Sequence, residues 1–349
     1  MNINTLLRWW WRLSLLGAGS GVALFLYAWL YEPLRIQYTE RLIRIPHANG
    51  ALPSSGLRIL HLSDTHFRAA EWREQPKIDN IRLLASRLDY DLVVHTGDFI
   101  HTNEGVDNLI RLLEAIPKPR LGYYGVLGNH DYAHYATPGM LERMWNTFMT
   151  ENELAQDSLA ANDTQLFPLW IKPLHDLHRL RRFIAYVRNT PLDIKRTGAN
   201  DIEGLVKRLE DWGMTILVNE NRHIQTDALN FYLAGVDDWY EGNPELEKAF
   251  AGIPEKALML LLSHNPDVMQ DPRCQRAGLM LAGHTHGGQI VLPIWGAAHT
   301  QTTFIKRHNV AGHHWHESTQ FYTSRGIGEG IPLRFMAKPQ ITLLNVRSS

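Results

Sequence analysis

Five short stretches of this chain carry side chains fit to hold metal ions: Asp64-Thr65-His66, Gly97-Asp98, Gly128-Asn129-His130-Asp131, Ser263-His264 and Gly283-His284-Thr285-His286-Gly287. Carboxylates, an amide and imidazoles offer the oxygen and nitrogen donors that Mn²⁺, Fe and Zn²⁺ accept. Asp64 and His66, separated by one residue, point to the same side of an extended chain and can meet at a single ion. A lone Asp-x-His, or any one histidine, is more often an ordinary core or surface feature. The weight lies in repetition. Asp64, His66, Asp98, Asn129, His264, His284 and His286 each follow an apolar run or stand in a glycine-bearing turn. Glycine opens backbone angles closed to other residues and lets chain and ligand approach closely.

Strands must set those positions. Leu57, Ile59, Leu60 and Leu62 form a short apolar run without helical spacing, which predicts a buried strand delivering Asp64 and His66 from its C-terminal end. Similar runs at 91–95, 123–127, 258–263 and 279–282 lead to Asp98, Asn129, His264 and His284. Helical stripes at 78–88 and 106–116 separate the first three strands. This alternation predicts an α/β fold with largely parallel connections. In open α/β sheets, ligands gather at the C-terminal edge of the strands, where every predicted ligand falls. Helix and strand signals continue at 202–212, 215–218, 230–234, 289–292, 321–323 and 341–346.

Composition narrows the class. At 349 residues, 44% hydrophobic and 20% charged, the chain can bury a sizeable core and is not a disordered one. A net charge of −1 gives no support to nucleic-acid binding. One cysteine, Cys274, excludes a disulfide within the chain. Eighteen histidines prompt a search for metal ligands.

Residues 1–31 form an N-terminal segment in which Leu13 to Tyr31 contains no charged residue; at 1.5 Å per residue it would cover roughly 28 Å, close to a bilayer's hydrocarbon thickness. Trp9, Trp10 and Trp11 at one end, with Tyr27, Trp29 and Tyr31 at the other, resemble an interfacial aromatic belt. No small-x-small cleavage site follows the run. The expectation is a transmembrane anchor at 13–31, an inner-membrane location and membrane lipid as a partner. Gly17 and Gly21 would offer a small-xxx-small face for self-association. Polar, turn-forming residues at 32–56 read as a linker, so the folded core is expected at 57–347. A helical insertion at 146–200 breaks the strand–helix rhythm. Within it Trp170, Leu174, Leu177, Leu180, Ile184 and Val187 mark one helical face with basic residues elsewhere, as in a core helix or a lid beside the site.

The ordered motifs DTH, GD, GNHD, SH and GHTH resemble those of the calcineurin-like metallophosphoesterase family over about residues 57–347. GHTHGGQ and the later SRGIGEGIPLRF are similar to its membrane-anchored bacterial subgroup, which includes phosphodiesterases and UDP-2,3-diacylglucosamine pyrophosphatases. The resemblance implies two stacked mixed β-sheets flanked by helices, and two divalent ions, Mn favoured over Fe or Zn. By motif, Asp64, His66, Asp98 and His286 would hold one ion, and Asp98, Asn129, His264 and His284 the other, with Asp98 bridging. His130 would stabilise phosphoryl charge or protonate the leaving oxygen, with Asp131 orienting it. Arg325 could contact a phosphate or form a structural ion pair. The implied activity is cleavage of a phosphodiester or pyrophosphate bond, in a phosphorylated or nucleotide-linked lipid or else in soluble esters. A non-catalytic metal-binding scaffold would be expected to lack ligands or the GNHD histidine, and none is missing here.

Overall fold

Apolar runs too short and too continuous for a helix become strands. The computed structural model describes residues 19–136 except 47 and 49, residues 143–150, residues 181–186 except 184, and residues 195–349. Its strands are β1 (Gln37–Ile45), β2 (Leu57–Leu62), β3 (Leu92–Thr96), β4 (Tyr123–Val126), β5 (Ala133–Ala136), β6 (Lys195–Ala199), β7 (Met214–Ile216), β8 (Glu220–Gln225), β9 (Asn230–Gly235), β10 (Met259–Leu262), β11 (Leu279–Ala282), β12 (Val291–Leu292), β13 (Gly296–Ala297), β14 (Gly312–His316), β15 (Thr319–Thr323) and β16 (Gln340–Ser348).

Two six-stranded sheets dominate, ordered β1-β16-β2-β3-β4-β7 and β14-β15-β11-β10-β9-β8. In the first, β2, β3, β4 and β7 run parallel while β16 is antiparallel to β2. In the second, β9, β10, β11 and β15 run parallel, with antiparallel β8 and β14 at the edges. Both sheets are therefore mixed, as expected.

Ile59, Leu92, Val94 and Val126 of the first sheet pack against Phe231, Leu233, Leu260, Leu262 and Leu281 of the second. Their chain neighbours Leu60, Leu62 and Val93 face the other way. There they meet Ile78 and Ile81 of helix α1 (Glu71–Ala85), Leu109, Leu112 and Leu113 of helix α2 (Val106–Glu114), and Leu205 and Leu209 of helix α3 (Ile202–Trp212). Side chains alternate across a strand, so a strand buried on both faces must be apolar throughout. That is why β10 and β11 read as unbroken apolar runs. Asp201 caps α3 by accepting from the Gly204 N–H, and Gly213 ends it in the left-handed conformation.

Two expectations are corrected. The stretch read as a linker contains β1, which pairs with β16 along its whole length and buries Ile43 and Ile45. The expected transmembrane anchor, and the inner-membrane location resting on it, are overturned: among the described residues no helix is long and apolar enough to cross a membrane. Residues 19–26 are α-helical, 27–31 form a π-helical turn and 32–34 a 3₁₀ turn. The end of the run is also tied to the domain. Arg73 Nη2 donates to the Trp29 carbonyl, the Arg334 N–H donates to the Ala28 carbonyl, and Tyr27 meets Phe335 edge-on with ring centres 6.5 Å apart.

Residues Ala133–Ala199 form a unit of their own. In it β5 pairs antiparallel with β6, and Trp145 meets Phe183 edge-on at 4.7 Å. The apolar face expected from Trp170 to Val187 lies outside the described residues.

Candidate metal centre

The parallel strands β2, β3 and β4 end side by side in one sheet, as do β10 and β11 in the other. The loops beyond those ends carry the seven expected ligands. Asp98 Oδ2 lies 3.2 Å from His66 Nε2 on one side and 3.2 Å from His264 Nε2 on the other. His66 Nε2 is 3.0 Å from His286 Nε2, and His286 Nε2 is 3.8 Å from Asp64 Oδ1. Ligand atoms of Asp64, His66, Asp98 and His286 all lie within 4.8 Å of one another. Beyond Asp98, His264 Nε2 sits 3.2 Å from His284 Nδ1. Asn129 precedes His130, whose N–H donates to Asp98 Oδ1 at 2.8 Å.

The backbone is strained where the ligands sit. Asp64, His66, Asp98, His284 and His286 have φ of 51°, 47°, 54°, 68° and 50°, in the left-handed region that side chains avoid at a cost of about 1–2 kcal/mol each. Neighbouring loops hold them there. The Asp64 N–H donates to the Gly97 carbonyl, the His66 N–H to the Asp98 carbonyl, and the Thr65 hydroxyl to the Phe99 carbonyl at 2.6 Å. The turns need glycine for a different reason. A Cβ on Gly128 would run into Asp98 Oδ1, and one on Gly283 into Ser63 Oγ and Asp64 Oδ2.

Hydrogen bonds on the far ring nitrogens aim the imidazoles. His264 Nδ1 faces the Thr96 carbonyl at 2.7 Å, and His284 Nε2 faces the Gln301 carbonyl at 2.9 Å. A carbonyl accepts only, so each of those nitrogens carries the proton and the other ring nitrogen turns its lone pair to the site. Electrostatics follows burial. Desolvation alone would raise the Asp98 carboxyl, but the facing His264, His66 and His130 hold it well below the usual carboxylate range. Desolvation would lower His264, yet Asp98 and Asp64 raise it to about 10. His284 is lowered to about 4 by burial and then by His264, while burial and the charges of His66 and Arg334 keep His286 well below its ordinary value. Burial raises Asp64. Converging lone pairs at 3.0–3.2 Å repel unless a positive charge lies among them. Without metal, a proton on His264 meets that need in part.

The donor set fits divalent cations. Asp64 Oδ2 and Asn129 Oδ1 are buried with no hydrogen-bond partner among the described residues, and orphaned buried acceptors beside such a cluster call for an ion. A family model described as calcineurin-like phosphoesterase matches residues 57–288, two thirds of the chain. The chain belongs to that family.

Among calcineurin-like phosphoesterases, relatives include the uncharacterized metallophosphoesterase YkuE of Bacillus subtilis, 26% identical over 96% of this chain and 92% of its own length. The UDP-2,3-diacylglucosamine pyrophosphatase LpxG of Chlamydia trachomatis is 26% identical over 87% of this chain and 89% of its own. The phosphodiesterase YaeI of Escherichia coli is 35% identical over 40% of this chain and 49% of its own. The protein is thus a metal-dependent phosphoester hydrolase.

Three residues differ in place or role from the sequence reading. Asp131 accepts from the Gly128 and Ile100 N–H groups with its two oxygens, clasping the GNHD turn to the Asp98 loop instead of orienting the His130 ring. Arg325 turns its guanidinium to Gln340 and Gln37, on β16 and β1, and makes no ion pair among those described. His101, which the sequence reading passed over, stacks on His130 at 4.7 Å and joins His66 and His130 in a three-imidazole cluster. Its position three residues after Asp98 was the available signal. Asn200 donates from Nδ2 to the His130 carbonyl at 2.8 Å, across 70 residues, which no local pattern reveals. Asp238 is buried, and burial raises its carboxyl to about 6 against the opposing pull of His264.

Proposed function

We propose that the chain hydrolyses the phosphodiester or pyrophosphate bond of a lipid-linked, nucleotide-type substrate of the UDP-2,3-diacylglucosamine class, using two divalent ions with Mn²⁺ favoured. The observation that carries the two-ion reading is Asp98, one carboxylate oxygen set 3.2 Å from an imidazole on each side. Asp64, His66, Asp98 and His286 would hold one ion, and Asp98, Asn129, His264 and His284 the other. Ions so held supply charge neutralisation at the phosphoryl group and an acidified water.

His130 acts beside them. Burial keeps its imidazole well below its ordinary value, so the ring is neutral near pH 7. A neutral ring can donate one N–H to a phosphoryl oxygen, and that role fits better than protonating the leaving oxygen. His101 stacked on one side and the edge contact with His66 at 4.6 Å fix the plane of the ring. The pyrophosphatase relatives, matched over nearly the whole chain, support the lipid-linked reading. The phosphodiesterase relative favours a second reading, broad action on soluble esters.

Assays of the Mn²⁺-loaded protein on UDP-2,3-diacylglucosamine, UDP-N-acetylglucosamine and bis(4-nitrophenyl) phosphate separate the two. A preference of about a hundredfold or more in kcat/KM for the diacylated substrate is expected. Cleavage of the small diester alone would replace the lipid-linked reading with the second one.

A further inference from the structure

We propose that Arg334 is a positioning residue for one half of the metal centre, holding Asp64 and His286 in register from behind. The proposal rests on the two-ion reading above and extends it to a residue outside the metal-ligand motifs.

Arg334 is fully buried and its guanidinium fork is occupied by backbone carbonyls. Nη1 donates to the carbonyls of His286 at 3.2 Å and Ala337 at 2.8 Å. Nη2 donates to the carbonyls of Arg325 at 2.8 Å, Gly326 at 3.4 Å and Gly328 at 2.5 Å, and lies 3.5 Å from His286 Nδ1. Only arginine offers donors in a rigid planar fork and stays charged when buried; lysine has a single point of attachment.

The 325–328 loop that Arg334 gathers in lies directly on Asp64. The Ile327 N–H donates to the Ser63 carbonyl at 3.0 Å and the Gly328 N–H to the Asp64 carbonyl at 2.5 Å. Gly326 has φ of +68°, and a Cβ there would come within 2.6 Å of Asp64 Cβ. One side chain therefore ties the loop that backs Asp64 to the peptide that carries His286. Asp64 and His286 are two members of the same four-ligand cluster. The other ligand set is braced elsewhere, by the Thr96 carbonyl behind His264 and the Gln301 carbonyl behind His284.

The arrangement is costly, which points to use. Glu329 Oε1 is 3.6 Å from Arg334 Nε, but the same carboxylate also serves Lys77 at 2.6 Å and Arg73 at 3.3 Å. Three cations thus share one carboxylate in a buried cluster, where charge is expensive unless compensated. A buried apolar residue would fill the space without that cost, but it could not collect carbonyls from both segments.

The test is metal binding by R334K, which keeps the charge and loses the fork. Calorimetric titration of the chelator-stripped full chain with Mn²⁺ should show two ions in the unsubstituted protein. In R334K one affinity should fall about 10–100-fold, the scale for losing a residue that orients a ligand, while the other changes less than about threefold. Adding H286A should then cost that site less than H286A costs the unsubstituted protein, because in R334K the imidazole of His286 is already out of line. Equal weakening of both sites, or no change at either, overturns the proposal. An unsubstituted chain that binds no ion would instead sink the two-ion reading itself. Should R334K not fold, hydrogen exchange on the unsubstituted chain decides. Mn²⁺ should slow exchange at Ile327 and Gly328, whose amides link the loop to Asp64, together with Gly287 and Gly288. Ions that leave Ile327 and Gly328 unprotected refute the coupling.

Discussion

His130 and His61 show how differently two buried imidazoles can serve one molecule. His130 meets the ring of His66 and takes its place by a backbone bond to Asp98, without being counted among the ligands. H130A should therefore keep both ions, by elemental analysis, and lose about 10²–10⁴ in turnover, the range for removing one proton-transferring or hydrogen-bonding catalytic group. Loss of metal together with activity would make His130 a structural part of the centre. His61 lies in β2, away from the ligand loops, with Nε2 2.9 Å from Thr96 Oγ1. The Thr96 hydroxyl donates onward to Ser63 Oγ, so His61 must donate and its Nδ1 is left buried without a partner. Burial lowers its pKa from 6.5 to about 3. The unfolded chain then binds the extra proton between those values. The stability contributed by the neutral ring is full above pH 6.5 and is lost as pH falls toward 3. H61Q retains a donor and does not titrate, so between about pH 4 and 6 the slope of unfolding free energy against pH should fall by about 1.4 kcal/mol per unit. Urea melts across that range, with metal held saturating, would show an unchanged slope if His61 were already charged. The cluster of Asp64, His66, Asp98 and His286 was legible because the motifs that carry it are local. His101 and Asn200 were less so, since their partnership with His130 arises only when distant strands meet.

At the scale of elements, the apolar strands read clearly and the polar edge did not. The runs at 258–263 and 279–282 matched β10 and β11 because both faces of those strands are covered. β1 was missed because its sequence, QYTERLIRI, carries four charged or polar side chains toward solvent and buries only Ile43 and Ile45. Edge strands are commonly protected in this way against pairing with other chains. Short polar strands such as β8 and β14 escaped for the same reason, their buried and exposed positions lacking an apolar run. The missed strand changes what a truncation should do. A chain beginning at Gly56 loses β1, exposing the β16 edge and the contacts of two isoleucines, each worth about 1.5–3 kcal/mol. The expected penalty of roughly 3–6 kcal/mol is a large part of a typical folding free energy of about 5–15 kcal/mol. Denaturant melts should show that loss relative to a chain beginning at Pro33, with self-association visible by size-exclusion chromatography. Equal stability of the two would mean that β1 is an ornament on a core complete without it.

Across the whole molecule, the centre exists only where the two sheets stay in register. Asp64, His66, Asp98 and Asn129 arrive from the first sheet, and His264, His284 and His286 from the second; His286 joins Asp64 and His66 beside Asp98, while His264, next to His284, approaches Asp98 Oδ2 separately. Ions held there would tie the sheets together, and so would stabilise the fold as well as serve the reaction. Mass action sets the size: metal at a hundredfold its dissociation constant adds about 2.7 kcal/mol. In a protein of this size that is a rise in Tm of roughly 4 °C. Chelation should remove it and Mn²⁺ should restore it. D98N retains the shape of the side chain and its acceptor for the His130 N–H, but removes the charge that would serve both ions. Its chelated form should also lose the ion pair in which Asp98 is held low and His264 high, so its melting temperature should start below that of the chelated unsubstituted protein. Added Mn²⁺ should then recover little of the gap. Differential scanning calorimetry of both proteins, with and without metal, reads all four temperatures. A metal-induced rise in D98N equal to that of the unsubstituted chain would mean that Asp98 does not join the two ions.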